Sequence, residues 1–429
     1  MIRHDITAGL DDTAAVRQTS SRPLVILGAS ARALAQSALR AGFEPYASDL
    51  FCDLDLQATA RQAVQAAAGY PWSLGKAAAG FPPSAPWCYT GALENHPDLV
   101  DCIAKTRPLA GNAGDVLRRL RDPVALASAA ADAGLAFPET LLSAQGVPED
   151  GSFLLKPLAG AGGRGIRPWT RSLAADPALG GMRAGRAHVW QRLTAGKPFS
   201  AAYCLSAGRP RLVGLARQLI GEPWCHADRF AWCGAVVSSP AASGPVHDRL
   251  AARLEPLGEL LAERFRAIGL VGVDLLVAAD GRVTVVEANP RPTASMELYE
   301  RSGAGSIAGC HLAACGFALP TVSSGGQPPP QPAATWAKAV LFATSPKPVS
   351  QPLIDGLSGK AAIWTEADGG WPAVADIPRP GQVIPSAAPV VTIFAAGHSE
   401  ADALERLRDR VTHVDAMFGH ALPERGGEE

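Results

Sequence analysis

Three oxygen-bearing side chains lie on two neighbouring apolar segments in the second half of the chain. Asp274 belongs to the first segment, whereas Glu287 and Asn289 belong to the second, and Asp280-Gly281 separates the two. An Asp-Gly pair between β-branched segments predicts a hairpin with a two-residue type I′ turn. That turn places Asp274 opposite Glu287, with Asn289 one pleat further along the same face. Oxygen ligands that converge in this way predict a site for a hard cation, Mg²⁺ or Mn²⁺.

The predicted register also pairs Leu276 with Val285 on the face of the two acids, and the hairpin is apolar on its other face. Two facing carboxylates in a buried setting repel each other and resist ionisation unless a cation lies between them. The alternative is an ordinary antiparallel hairpin at a sheet edge, whose acids point to solvent.

A lysine and a glycine-rich segment precede the hairpin. Lys156 lies near the end of a predicted strand, and the next residues include Gly160, Gly162, Gly163 and Gly165. Glycines leave backbone N–H groups accessible, which suits a flexible flap over phosphate groups, and the lysine adds a positive charge. The segment is not a Walker A loop, because the lysine precedes the glycines and a strand follows them. A flexible hairpin loop with a solvent-directed lysine is the alternative.

Two further predicted strands are joined by a short linker that ends at Gly196, which indicates a hinge between two lobes. Gln191, Arg192 and Leu193 end the first of these strands. A flat heterocycle can pair with backbone groups of such a hinge, and the Gln191 amide offers both a donor and an acceptor. A simple chain crossing between subdomains is the alternative.

The N-terminal part predicts a strand, a tight turn at Gly28, a helix and a second strand that ends in Asp49. An acid about 20 residues after a glycine turn can bind a ribose, as in NAD-binding proteins. The full Gly-x-Gly-x-x-Gly is missing, however, since Ser30 replaces the second glycine. A doubly wound packing unit is therefore preferred, and a dehydrogenase is the least favoured function.

At 429 residues the chain is too long for one ordinary domain. The predicted fold class is α/β with α+β character. The predicted divisions are a loose leader (1–22), a Rossmann-like domain (23–112), a two-lobed central domain (113–320), a proline- and glycine-rich linker (321–332) and a small C-terminal α/β domain (333–429).

Composition narrows the expected partners and location. Apolar residues make up 47% of the chain, charged residues 18%, and the formal net charge is −1, so neither nucleic acid nor a membrane surface is expected as a partner. The apolar segments are shorter than a span of ~20 residues and the start lacks a signal-peptide pattern, so a soluble, cytoplasmic protein is predicted. The eight cysteines include no Cys-x-x-Cys, which argues against a zinc site or a disulfide scaffold.

Taken together, Lys156 with its glycine flap, the hinge at Gln191, Asp274 and the sequence Glu287-x-Asn289-Pro-Arg291 resemble the ATP-grasp enzymes. The order and spacing match over about residues 110–320. The resemblance implies that the acids and the asparagine hold Mg²⁺ against ATP, that the lysine and the glycines cover the phosphates, and that the hinge, including Arg192 and Leu193, holds the base.

The Asn-Pro-Arg ending is similar to that of the biotin carboxylase and purine-synthesis branch, in which the arginine contacts a substrate carboxylate or phosphate. The resemblance implies this role for Arg291, with Lys156 as the second catalytic residue. The implied reaction is an ATP- and Mg²⁺-dependent ligation, in which a small-molecule carboxylate attacks the γ-phosphate, ADP leaves, and an amine displaces phosphate from the acyl phosphate. Similar ligases occur with one-carbon cofactor assembly, which implies cofactor biosynthesis, and the resemblance admits a homodimer. A bicarbonate-using carboxylating ligase and a non-catalytic ATP-binding module are the alternatives.

The chain departs from the ATP-grasp pattern at three places. The acid that often holds the ribose is absent, and Lys197 stands near its place. A second lysine is missing near Asp122, where Arg119 or Arg121 is available as a substitute. Gly272 occupies the position of an arginine that often precedes the first metal ligand.

Overall fold

A computed structural model describes residues 22–66, 68–176, 187–206, 209–239, 244–320 and 335–419. Residues 1–21 of the predicted leader and the whole predicted linker 321–332 lie outside these ranges, and Arg22 begins the first strand. Within the described ranges, no helix combines the length and the apolar character that crossing a bilayer requires.

The N-terminal domain is a parallel sheet with the strand order β3-β2-β1-β4, as the predicted βαβ unit requires. Its elements are β1 (Arg22–Leu27), α1 (Arg32–Arg40), β2 (Phe43–Asp49), α2 (Leu54–Thr59), β3 (Gln62–Gln65), α3 (Ser73–Ala79), β4 (Trp87–Tyr89) and α4 (Pro97–Ala104).

Gly28 and Asp49 have packing roles in this domain. A Cβ on Gly28 would lie 2.0 Å from Oγ1 of Thr90, so only glycine lets the two segments approach this closely. Asp49 is fully buried and accepts hydrogen bonds from the backbone N–H groups of Ala31 (2.8 Å) and Cys52 (2.7 Å). Because backbone donors engage this carboxylate, the geometry argues against the dinucleotide alternative.

The next part forms a small antiparallel sheet with the order β5-β8-β6-β7. Its elements are α5 (Gly114–Leu120), α6 (Pro123–Asp132), β5 (Thr140–Leu141), β6 (Asp150–Pro157), β7 (Arg167–Thr170), α7 (Arg171–Ala174) and β8 (His188–Arg192). Helix α6 begins at Pro123 because proline suits the first helical position and the Asp122 carboxylate accepts a hydrogen bond from the Val124 N–H (2.9 Å).

The large sheet has the order β13-β12-β9-β10-β11-β14-β18-β16. Its strands are β9 (Lys197–Ser206), β10 (Arg209–Ile220), β11 (Trp232–Ser238), β12 (Gly269–Val277), β13 (Val283–Asn289), β14 (Thr335–Phe342), β16 (Val374–Ala375) and β18 (Pro389–Gly397). Strands β15 (Lys347–Pro348) and β17 (Val383–Ile384) pair separately. The helices of this part are α8 (Pro245–Glu263), α9 (Glu297–Arg301), α10 (Ile307–Ala314), α11 (Gln351–Ala367) and α12 (Glu400–Met417). Because β11 pairs with β14, the C-terminal segment extends this sheet and does not form a separate one.

The β12–β13 hairpin confirms the pairing of Asp274 with Glu287, but the predicted turn is wrong. The Gly281 N–H donates to the Ala278 carbonyl (2.9 Å), and the Ala278 N–H donates to the Arg282 carbonyl (2.9 Å). Of the turn residues only Gly281 has a positive φ, +81°. The connection is therefore a three-residue loop with a left-handed glycine, which also matches the twist of the strands.

The longer loop shifts the pairing near the turn by one residue, and a β-bulge at Val286 shifts it back before Glu287. As a result Leu276 faces Thr284, and the predicted pair of Leu276 with Val285 is wrong. Val285 packs in the core, whereas Val286 and Glu287 both line the cleft described below. Two deviations thus cancel, and the acids still face each other.

Candidate active site

A cleft of about 1050 Å³ lies between the N-terminal domain, the small antiparallel sheet and the large sheet. Most of the predicted site residues line it: Lys156, Gly160, Gly162, Gly163, Gln191, Asp274, Glu287, Asn289 and Arg291. Gly165, Arg192 and Leu193 are not part of its wall among the described residues. The fold therefore brings together side chains from the small sheet, the hairpin and the segment after it.

The two acids and the asparagine form one hydrogen-bonded group. The Asn289 amide nitrogen donates to Asp274 Oδ2 (3.1 Å) and to Glu287 Oε1 (3.5 Å). Gln218 on β10 donates to Asp274 Oδ1 (2.7 Å), and Lys156 Nζ lies 2.7 Å from Glu287 Oε2. Gln218 was not identified from the sequence, because nothing in the local pattern of β10 marks it.

The two carboxyl groups differ in proton affinity. Burial, and next the neighbouring Glu287, raise the pKa of Asp274 to about 6. Burial also acts to raise the pKa of Glu287, but Lys156 and Arg121 outweigh it and lower that pKa to about 2. The group therefore carries close negative charges at neutral pH, with one lysine in direct contact.

This group fits a hard cation. Among the described residues no cluster of three or more His, Cys, Asp or Glu side chains is arranged to hold a metal, so a cation here would use two carboxylates and an amide oxygen. A half-turn of the Asn289 amide would direct its Oδ1 instead of its nitrogen toward Asp274 and Glu287.

Arg121 lies beside these groups, whereas Arg119 does not. The Arg121 guanidinium donates to the Leu158 carbonyl (2.8 Å) and to the Gly160 carbonyl (3.3 Å), at the base of the glycine segment. Arg119 pairs with Asp115 at 3.2 Å. Of the two predicted substitutes for the missing lysine, the geometry favours Arg121.

The segment 160–165 lies against the large sheet. The Trp232 N–H donates to the Gly162 carbonyl (3.1 Å), and a Cβ on Gly163 would lie 1.8 Å from the Phe230 carbonyl oxygen. The Arg164 guanidinium donates to the Ala387 carbonyl (3.3 Å) in the C-terminal part. The segment therefore covers the cleft in a closed position that requires glycine at residue 163.

Replacing Gly163 with alanine is expected to keep this segment open. In the wild type, hydrogen exchange of residues 160–165 should slow when a non-hydrolysable ATP analogue is added, and Gly163→Ala should lose this slowing. Gly162→Ala is the matched control. Because φ is +61° at Gly162 and +77° at Gly163, alanine costs a similar ~1–2 kcal/mol of backbone strain at either position. At position 162, however, no described heavy atom lies within 4 Å of the added Cβ. Equal slowing in both variants would show that closure does not need this contact.

Of the three predicted hinge residues, one lines the cleft. Gln191 is buried, lines the cleft and donates to Oγ1 of Thr140 (3.2 Å). The Arg192 side chain pairs with Glu139 at 2.7 Å, and its N–H donates to the Glu139 carbonyl (2.8 Å). The Leu193 N–H is also engaged, by the Ser152 carbonyl (2.9 Å). Hydrogen bonds within the protein thus occupy the N–H groups of two of the three residues that were predicted to bind a base.

Apolar side chains of both sheets line the cleft, one of them on the strand position paired with Gln191, and this part of the wall is called the apolar slot. Leu154, Pro198, Leu276 and Val286 line it. Its apolar walls and one amide suit a flat ring, which is the usual composition of a small-molecule pocket.

Arg291 follows the hairpin and reaches the N-terminal domain. Its guanidinium donates to Glu94 Oε1 (2.6 Å), and the two side chains are only 11% and 1% exposed. Its Nε and the second carboxylate oxygen of Glu94 have no hydrogen-bond partner among the described residues. Glu94 was missed in the sequence because it lies 197 residues from Arg291.

A second charged network lines the cleft on the side of the C-terminal part. The Arg32 guanidinium donates to Glu297 (2.6 Å) and to Asp376 (2.9 and 3.0 Å), and the Lys338 ammonium donates to Glu297. All four side chains come from different parts of the chain: α1, α9, β14 and the loop after β16.

One comparison matches the central segment of the chain to a family model. Residues 121–295 match the sequence model of the ATP-grasp domain. A search of curated proteins finds no match.

Several solved structures share the fold. An N5-carboxyaminoimidazole ribonucleotide synthetase with ADP has a TM-score of 0.64 and 15% identity, over 93% of this chain and 98% of that one. The N5-carboxyaminoimidazole synthase of Aspergillus clavatus, in complex with ADP and 5-aminoimidazole ribonucleotide, has a TM-score of 0.64 and 12% sequence identity. The match covers 92% of this chain and 100% of that one. The biotin carboxylase of Campylobacter jejuni, in an ATP-type complex, has a TM-score of 0.61 and 15% sequence identity, and the match covers 89% of each chain. The predicted ATP-grasp fold is thus confirmed.

Proposed function

We propose that this chain, whose residues 121–295 form an ATP-grasp domain, is an ADP-forming ligase that activates a carboxylate and joins it to an amine. The observation that carries the proposal is the convergence of Lys156, Asp274, Glu287 and Arg291 on one cleft. The same cleft also contains the apolar slot, which suits a flat ring, and the glycine segment, which suits phosphates. Arg291 suits an anion.

The nucleotide would bind with its base in the apolar slot beside Gln191 and its phosphates under residues 160–165. Lys156 and Arg121 supply positive charge there, so they would stabilise the negative charge on the phosphates. The contact between Lys156 and Glu287 (2.7 Å) would open as the lysine turns to a phosphate oxygen.

Mg²⁺ would be held by Asp274, Glu287 and Asn289. The raised pKa of Asp274 supports this, since a cation would offset both the burial of that carboxyl group and its repulsion by Glu287. A bound Mg²⁺ supplies charge neutralisation at the terminal phosphates. Gln218 would keep Asp274 oriented through its hydrogen bond (2.7 Å).

The substrate carboxylate would bind at Arg291. Glu94 fixes the guanidinium from one side, and the buried, unpaired Nε would become a donor for a substrate oxygen if the guanidinium turns toward the cleft. Binding there would hold the carboxylate close to the terminal phosphate, so that positioning contributes most of the rate enhancement. The carboxylate oxygen attacks the γ-phosphorus, the bond to the β-phosphate oxygen breaks, and ADP leaves. The amine nitrogen then attacks the acyl carbon, phosphate leaves, and the amine loses a proton.

Trapping of the intermediate tests this function. With Mg²⁺, ATP and a panel of small carboxylic acids, the protein is expected to release ADP, and added hydroxylamine should convert the acyl phosphate to a hydroxamate detectable by mass spectrometry. A reaction mixture without the acid is the control. Formation of AMP and pyrophosphate with a productive acid would contradict the proposal.

Bicarbonate is the alternative acid, since solved structures of the same fold include a biotin carboxylase domain in complex with ADP and a bicarbonate anion. Incorporation of labelled bicarbonate into product would select it. A role in cofactor biosynthesis, a cytoplasmic location and a homodimer stay predictions.

A further inference from the structure

A buried carboxyl group of the N-terminal domain faces the cleft away from the predicted metal ligands. Asp53 precedes α2, lines the cleft and is 6% exposed. Although it stands at the N-cap position, its side chain makes no capping hydrogen bond. Within the described part of the chain the carboxyl group has no hydrogen-bond or ion-pair partner.

The carboxyl groups near Asp53 are all engaged. Backbone N–H groups donate to Asp49, as described above, and the N–H groups of Asp376 (2.9 Å) and Ile377 (3.0 Å) donate to Asp55. Arg32 donates to Asp376 (2.9 Å). Asp53 is therefore the exception in a group whose other members are satisfied.

The nearby positive charge is also committed elsewhere. Arg32 contacts Asp376 and Glu297 directly and lies 3.7 Å from Asp55. The charged and titratable groups that act on Asp53 are Arg32 of α1, Asp49 of its own loop, Asp55 of α2, and Asp376 of the loop after β16. Arg379 acts on the adjacent Cys52, and its guanidinium donates to Gln65 (2.6 Å). Burial, and next Asp376, Asp55 and Asp49, raise the pKa of Asp53 to about 9.

A buried carboxyl group with this surplus of negative neighbours lacks a positively charged donor. A divalent metal would need about six oxygen ligands, but the other carboxylates are already engaged by donors. An ammonium, amidinium or guanidinium group supplies both the charge and the N–H donors that a single carboxylate accepts.

We propose that Asp53 anchors a cationic nitrogen of the amine substrate, so that this substrate carries two nitrogen groups. The nitrogen paired with Asp53 keeps its proton and cannot attack, and a second, neutral nitrogen of the same molecule reaches the acyl phosphate. This inference rests on the proposed ligase function, because it places the amine in the cleft that holds Arg291 and Lys156.

Calorimetric titration of the full chain with 1,4-diaminobutane at pH 7.5, without nucleotide, tests the inference. With its pKa raised to about 9, Asp53 is expected to carry a proton in the free protein at this pH, and a bound cation should make it ionise. Binding should therefore release about one proton, seen as a difference in heat between phosphate and Tris buffers. Asp53→Asn should weaken binding at least ~10-fold and remove the buffer dependence.

Asp280→Asn, in the exposed hairpin turn, is the matched control and should bind the diamine like the wild type. No binding to the wild type, equal binding in Asp53→Asn, or binding without proton release would each overturn the inference. A separate titration of the wild type with Mg²⁺ and an ATP analogue distinguishes the two proposals. Nucleotide binding without diamine binding removes the role of Asp53 and leaves the ligase function standing. Diamine binding without nucleotide binding removes the ligase function and with it the substrate role of Asp53, which then remains only a cation site.

Discussion

Glu287→Gln is expected to weaken Mg²⁺-dependent binding of an ATP analogue by at least ~100-fold. Loss of groups that merely support metal ligands costs about 10- to 100-fold, and loss of a charged ligand should exceed this. The fold should survive, because glutamine has the same shape and the Glu287 side chain is 27% exposed beside Lys156. Calorimetric titrations with Mg²⁺ and with a chelator in its place measure the effect.

The chelator titration makes this prediction specific to the metal. In Glu287→Gln, the affinity with Mg²⁺ should fall close to the affinity that the wild type shows in chelator. Asp280→Asn removes a carboxylate from the turn of the same hairpin, where the side chain is 66% exposed, and should leave both affinities unchanged. Wild-type affinity of Glu287→Gln in Mg²⁺ would show that the hairpin acids do not bind the metal.

Arg291→Lys is expected to lose hydroxamate trapping by roughly 10- to 100-fold while it keeps ATP binding. Lysine preserves the charge next to Glu94, but it lacks the fork that can hold Glu94 and a substrate carboxylate at the same time. The acid should therefore bind less well and point less accurately at the phosphate. Trapping rates and analogue affinities, measured on the same preparations, give the two readouts.

Arg291→Ala is less suitable because it leaves Glu94, which is 1% exposed, as an unpaired buried charge. Such a loss destabilises proteins by about 3–5 kcal/mol. Arg291→Ala combined with Glu94→Gln should recover part of that stability in thermal unfolding, yet not recover trapping. Full trapping in the double variant, or an equal loss of ATP binding in Arg291→Lys, would assign the arginine a structural or nucleotide-binding role instead.

Local patterns in the sequence predicted the elements that carry the site. The alternation of two apolar segments around Asp280-Gly281 placed Asp274 opposite Glu287, and this pairing is confirmed. It survived an incorrect turn type because the bulge at Val286 compensates for the longer loop. A bulge depends on how the strand packs against its neighbours, so the alternation of residues alone does not reveal it.

The structure places only one of the three predicted hinge residues at the cleft. Arg192 and Leu193 lie where the resemblance places them along the chain, but their N–H groups bond to Glu139 and Ser152. The strand order of the small sheet decides this, since β8 lies between β5 and β6 and has neighbours on both sides. Sheet order is a long-range property that a segment does not encode by itself.

The sequence by itself determined the chemistry that the chain carries: two facing acids, an asparagine, a lysine before flexible glycines and an arginine after the hairpin. These are relations within one or two adjacent elements, which the twofold period of a strand and the conformational freedom of glycine dictate. Only the tertiary structure decided which groups complete them. Gln218 reaches Asp274 across the large sheet, Glu94 fixes Arg291 from the N-terminal part, and the Asp53 side chain has no donor among the described residues. Such contacts arise from packing between distant segments, so the residues that make them carry no local signal.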